Sequence, residues 1–308
     1  PYQAPPELGM PPRDTILRAK NIFATMSLKG LFKRKGVHLG TVKIEDALLV
    51  LAKEPGNSNL KRVFSTGEKT DKSGFSGPGD GDLLDVGRIE IKRLRFCLIN
   101  YGKAMKGFEK HKFPRSHGID FCNLDVTADL KARDIRIRDG YVTGTAESLE
   151  AVEKSGYRIQ SLSASAKVGH GVAEVTDIHL IDAYSDIRLP YYSMTGTIPE
   201  YKHFEPNIIL KGNIKNSKVM MKSISYFAPS LKDNPLVFEI ANADVNGPVA
   251  DLHVNGLQFK ELTSGMHGLV ATTISGLPKA NDMVLDSKIT DIWFDTAGAG
   301  EFIRGWSR

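Results

Sequence analysis

The chain has 308 residues, 41% of them hydrophobic, and a formal net charge of +5. That is enough apolar content to build the core of one large or two ordinary domains. No apolar run approaches the roughly 18 residues of a membrane-spanning helix, and the 2 cysteines are too few for a disulfide scaffold. The sequence opens without methionine at PYQAPPELGMPPRD and stops at EFIRGWSR, so it is read as a fragment or a processed chain.

The charge is unevenly spread. Residues 1–120 hold 22 Lys and Arg against 13 Asp and Glu, or +9, and the remaining residues hold 19 against 23, or −4. Arg88 to Arg115 carries nine basic residues and only Glu90 and Glu109 as acids. Such a stripe suits nucleic acid or anionic lipid, but its plainer reading is the solvated outer face of strands. Cys97 and Cys122 read as ordinary thiols, with a single disulfide as the alternative.

Pro1 to Arg13 has five prolines and no apolar periodicity, and is expected to be disordered; residues 14–308 are expected to form one elongated unit. Alternation starts at Ile16 and is interrupted by SLKGLFKRKG, a short helix capped by Ser27 and stopped at Gly36. VHLGTVKIEDALLVLAKEP reads as strand, bend and strand, and Asn59 caps a helical turn. Gly67 to Asp82 is a flexible loop rich in Gly, Ser and charge. Strands resume from Leu83 to Tyr101, and a basic loop leads to a further strand at Ile119 to Leu130. RDIRIRDGYVTGTAES is a hairpin turned at Asp139-Gly140. Three strands follow between Tyr157 and Ile198, then one at NIILKGNI and a short helix in NSKVMMKSISYFAPSL. A meander of four strands and a helix from Thr296 to Trp306 complete the chain.

One pattern recurs through these strands: two alternating apolar pairs separated by a two-residue hop. It occurs at Val37, Leu39, Val42 and Ile44; at Ile89, Ile91, Leu94 and Phe96; and at Ile119, Phe121, Leu124 and Val126. It returns at Ala173, Val175, Ile178 and Leu180, and at Leu252, Val254, Leu257 and Phe259. A hop of two changes side-chain parity, so a bulge is needed to bring both pairs to one face; Asp177 is the place for one such bulge. The copies start 52, 30, 54 and 79 residues apart, too irregular for a strict solenoid. About fifteen strands with so few helices leave four solutions: a second sheet, a barrel, a β-helix, or an apolar groove filled by something else.

Catalytic chemistry has no positive signal. HExxH, paired CxxC, GxSxG, Walker-type and GxGxxG motifs are absent, so no cofactor, metal or enzymatic role is assigned. His111 and His117 with Glu109 and Asp120, and Asp80, Asp82 and Asp85, are weak metal candidates without ligand spacing. His179 and His253 read as polar-face strand residues. Phe96, Tyr101, Phe108 and Phe113 lie among basic residues, yet no nucleic-acid motif accompanies them.

SLKGLFKRKGVHLGTVKIEDALLVLAKEPGNSNLKRVF, from Ser27 to Phe64, resembles the repeat unit of the AsmA-like/TamB family of envelope proteins. Ser27, Leu28, Leu31, Leu39, Val42, Ile44, Asp46, Leu49, Leu51, Asn59 and Leu60 carry the match. LPYYSMTGTI and NIILKGNIKNSKVMM resemble later repeats. The resemblance implies a mainly β fold, an elongated antiparallel sheet curled into a hydrophobic groove (a β-taco), in a periplasmic protein anchored at the inner membrane. It also implies lipid acyl chains as the ligand, phospholipid transport between membranes, and outer-membrane protein assembly with a barrel partner. The twenty apolar repeat residues are the groove candidates. The alternatives are a β-sandwich or β-helix used as an adhesin or envelope scaffold, and an enzyme on a β-helix.

Overall fold

Alternating segments joined by short turns satisfy their backbone groups most cheaply by pairing with their neighbours in sequence. The computed structural model follows this rule, and it describes residues 16–26, 37–54, 57–59, 84–100, 117–197, 200–277, 282–294 and 296–306. The expected helix at 27–36, the loop at 67–82 and the N-terminal segment 1–13 lie outside the described residues. One open sheet runs through β1 (Leu17–Met26), β2 (Val37–Glu54), β4 (Leu84–Asn100), β5 (Asn123–Arg138), β6 (Tyr141–Glu153), β7 (Arg158–Gly169) and β8 (Val172–Asp182). It continues through β9 (Asp186–Thr195), β10 (Ile209–Met220), β11 (Val237–Gly247), β12 (Asp251–Glu261), β13 (His267–Ser275) and β14 (Val284–Trp293). The two-residue β3 (Asn57–Ser58) lies off this path, against β2. β2 and β4 pair in parallel and the other neighbours antiparallel. β1 and β14 do not pair with each other, so the sheet is not a barrel.

Among the described residues three short α-helices accompany it: α1 (Phe204–Asn207), α2 (Met221–Ile224) and α3 (Thr296–Trp306). The helix expected from Asn216 shrinks to α2, because Ser217 to Met220 pair with Ile240 to Val237 and stay in the sheet.

Strand reversal creates two rims. One rim carries tight turns: Asp139 and Gly140 have φ of 50° and 75°, as the expected type I′ turn requires, and His170-Gly171 repeats it at 49° and 77°. The same rim holds the longer β9–β10 connection that includes α1, and the other rim carries connections pinned by buried acids. Asp182 Oδ1 accepts from the backbone N–H of Tyr184 (2.7 Å) and Ser185 (2.8 Å) and from Ser223 Oγ (2.8 Å). Glu261 accepts from the N–H of Val237, Thr263 and Ser264 and from Ser264 Oγ. Glu153 accepts from Ser155 N–H at 2.7 Å. We call these the turn rim and the capped rim.

Between the rims, Asp46, Arg93, Asp134, Asp177, Asn216 and Gly256 hold φ of 44–58° in mid-strand. At Arg93, Asp134, Asp177 and Gly256 the ladder gains a residue against a neighbouring strand, while at Asp46 and Asn216 the register stays in step. Lys92 and Arg93 stand against Asp129 alone, and Asn255 and Gly256 against Ala271 alone. Asp, Asn and Gly tolerate this left-handed conformation better than other residues, which accounts for five of the six. Register breaks recur in the β1–β2, β4–β5, β5–β6, β6–β7, β7–β8, β11–β12, β12–β13 and β13–β14 pairings. A bulged strand bends and twists more strongly, so this row is where the sheet curls.

The tightest packing follows the capped rim. Val50, Ala52, Cys97 and Ile99 form one buried cluster with Leu48 against it. Asn59 closes this edge, accepting from Ala52 N–H at 3.0 Å and donating to Val50 O at 2.7 Å. Farther along, Ile119 N–H donates to Tyr226 O at 2.7 Å, tying the entry to β5 to the β10–β11 connection five strands away.

Candidate functional site: an apolar wall

The ladder registers place a continuous aliphatic stripe on one face. Ile22, Ile44, Ile91, Leu130, Leu149, Leu162, Leu180 and Ile187 are Cα partners in unbroken succession from β1 to β9. Eight strands span seven gaps, about 34 Å at the usual inter-strand spacing. Ile22 at the sheet edge is 57% exposed, while the other seven are half-buried. The described residues outside the sheet are short connections and three short helices, too few to pack a second layer along it.

The bulges make this face possible. Asp177 occupies the hop between Val175 and Ile178, where the sequence calls for a bulge. Arg93 and Gly256 fill the same place in the copies on β4 and β12. In β2 the left-handed residue is Asp46, between Ile44 and Ala47, and the hop at Gly40-Thr41 is a second irregularity against Thr25. Ile44, Ile89, Ile91, Leu94, Phe96, Leu124, Val126, Ala173, Val175, Ile178, Leu180, Leu252, Val254, Leu257 and Phe259 therefore share the apolar face with Val37, Leu39 and Val42.

Two candidates fall outside it. Ile119 and Phe121 precede β5, because Asp120 Oδ1 accepts from Cys122 N–H (2.9 Å) and folds that segment into a turn. Ile119 is buried beneath Tyr226, and Phe121 is 59% exposed beside Phe227. Ile22, Leu130, Leu149, Leu162 and Ile187 belong to no copy of the hop pattern, so the sequence alone did not single them out. The buried acids of the capped rim had a signal, in EKSG, DAYS and ELTSG: an acid followed within three residues by Ser.

The opposite face is a ladder of paired charges. Lys43 meets Glu90 at 3.1 Å, Arg95 meets Asp125 at 2.6 Å, Arg133 meets Glu147 at 3.2 Å and Arg136 meets Asp85 at 3.8 Å. The hydrogen bond from Arg95 is the main reason the Asp125 carboxyl is held below its ordinary range. Of the described part of the basic stripe, Arg88, Arg93 and Arg95 are thus paired with carboxylates within the sheet. His179 bonds Asp186 at 2.9 Å and His253 bonds Thr273 Oγ1 at 2.9 Å. His117 Nε2 lies 2.8 Å from Ser225 Oγ. Among the described residues no three His, Cys, Asp or Glu gather as a metal site. Cys97 and Cys122 are not joined by a disulfide. An open depression of about 830 Å³ over β10–β13 is lined partly by Lys218, Glu239, Lys260 and Asp291, which does not suit an acyl chain.

The arrangement defines an open, mostly antiparallel β-sheet with one aliphatic face and one charged face. Comparison with protein-family models, curated proteins and solved structures finds no match.

Proposed function

We propose that the aliphatic face holds or conducts phospholipid acyl chains, in a periplasmic protein of envelope biogenesis akin to the AsmA-like/TamB family. The observation that carries this reading is the unbroken Ile/Leu stripe, half-buried and lacking a packed second layer among the described residues. A bilayer core about 30 Å thick holds two acyl chains end to end, so a stripe of about 34 Å accommodates whole chains. Each buried methylene contributes about 0.8 kcal/mol, and a 16-carbon chain on the order of 10 kcal/mol. Such binding asks for continuity of apolar surface, which the register provides. Outer-membrane protein assembly is the second activity that the resemblance suggests.

Lipid extraction and mass spectrometry of the purified protein test the reading. Phospholipid should copurify in stoichiometric amounts and be lost in the double variant Leu130→Asp/Leu149→Asp with circular dichroism retained. Lipid-free protein with a dry, closed apolar face would overturn it in favour of a scaffold.

A further inference from the structure

The capped rim differs from the turn rim in what its connections present to solvent. Phe121, in the turn before β5, is 59% exposed, and Phe227, between β10 and β11, is 49% exposed. Their rings lie 6.3 Å apart. Leu262, between β12 and β13, is also exposed, as are Trp293 and Phe294 where β14 reaches the same rim. The turn rim exposes aliphatic side chains instead, Met26, Val37, Ile209, Val284 and Leu285, and its two-residue turns Asp139-Gly140 and His170-Gly171 carry no apolar side chain.

Charge separates the rims as well. Glu153, Asp182 and Glu261 are turned inward and buried, and Asp120 is engaged with Cys122 N–H. The β10–β11 connection then exposes Lys222, Lys232 and a single acid, Asp233. Beneath these side chains the platform is firm: Ser185 Oγ donates to Ser223 Oγ (2.7 Å), which donates to Asp182. Tyr157 packs edge-on against Phe227 with centroids 5.3 Å apart.

We infer that the capped rim docks on an anionic phospholipid bilayer. Apolar tips dispersed over several turns, with lysines among them and acids withdrawn, match the layering of a membrane interface: rings at the acyl boundary, cations at the headgroups. A protein partner would ask for one contiguous buried patch at the centre of a contact, whereas these tips are strung along a rim. The inference does not depend on the aliphatic wall holding lipid.

Flotation of the purified chain with vesicles tests it, using phosphatidylcholine alone and phosphatidylcholine mixed with phosphatidylglycerol. The chain should float with the mixed vesicles at low salt and be released by high salt. The variants Phe121→Ser/Phe227→Ser and Lys222→Glu/Lys232→Glu should each weaken flotation by about tenfold or more. The matched charge reversal Arg138→Glu/Lys167→Glu on the turn rim should leave it unchanged. All of these side chains lie at the surface, and circular dichroism checks that the variants fold. Absence of flotation, or flotation untouched by both capped-rim variants, would overturn the inference. So would loss of flotation only in Leu130→Asp/Leu149→Asp, which would place vesicle binding on the wall, or rim-dependent dimerisation without vesicle binding.

Discussion

Asp46 and Arg93 occupy the same slot of two adjacent parallel strands, both with left-handed φ (52° and 54°), and bond to each other twice, Nε–Oδ1 at 2.5 Å and Nη2–Oδ2 at 3.1 Å. Their neighbours Glu45 and Lys92, and Ala47 and Leu94, are Cα partners, so the two bends coincide. Arg93 N–H also donates to Asp129 Oδ1 at 2.6 Å, which carries the alignment into β5. Exposed ion pairs contribute little to stability. Here the pair matches one bend to the next.

The bulges give a prediction that distinguishes shape from stability. A non-glycine residue in the left-handed region costs about 1–2 kcal/mol, and glycine in a strand costs roughly 0.5–1 kcal/mol through chain entropy. Asp177→Gly should therefore leave the urea midpoint nearly unchanged, while Asp177→Val, with a branched side chain at φ 53°, should lower stability by about 1–3 kcal/mol. A Val variant as stable as the parent would show that the bulge is not enforced.

Truncations should separate the core from the wall. Ile99 is 1% exposed within the capped-rim cluster, so Ile99→Ala should cost about 2–5 kcal/mol. Leu130 is half-buried, with no second layer packed on it among the described residues, and Leu130→Ala should cost about 1 kcal/mol in lipid-free protein. Equal costs in chemical denaturation would mean that the stripe is packed core.

Acid should loosen the capped rim. Burial alone would raise the Glu261 pKa, but hydrogen bonds from Ser264 Oγ and the N–H groups of Thr263, Ser264 and Val237 prevail and hold it below the usual range. A lowered folded-state pKa means stability that is present above the unfolded value near pH 4.3 and lost as pH falls through the folded one. Glu261→Gln should lower stability at neutral pH by about 1–3 kcal/mol and flatten the acid limb of the stability curve. An unchanged acid limb would deny Glu261 this part.

The two thiols should differ sharply in reactivity. Burial, aided by the Asp125 carboxylate, pushes the Cys97 thiol up to about 11, and Cys97 is 1% exposed. At about pH 8.5, near the ordinary thiol value, iodoacetamide should label Cys122 in the native protein and reach Cys97 only after unfolding. Mass spectrometry of peptides reads the sites directly, and rapid native labelling of Cys97 would contradict the packing of the cluster.

Much of the fold was legible because alternation and turn chemistry are local. Asp139-Gly140, the helix at Thr296–Trp306 and the bulge at Asp177 all stand where the residues put them. The wall was legible only in part. Leu149 and Leu162 join it through register with Leu130 and Leu180, which pairing decides and single strands do not announce. Ile119 and Phe121 alternate like a strand, but Asp120 captures the Cys122 amide and ends the pattern. The parallel pairing of β2 and β4 left no trace in either strand, since both alternate as any antiparallel strand does.

The row of mid-strand bulges implies that the curved profile is specified strand by strand. Because most strands carry their own break in register, whole hairpins could be gained or lost without altering the cross-section. Length and bore are then independent variables. A lineage of such chains could stretch to span different distances while keeping the same calibre.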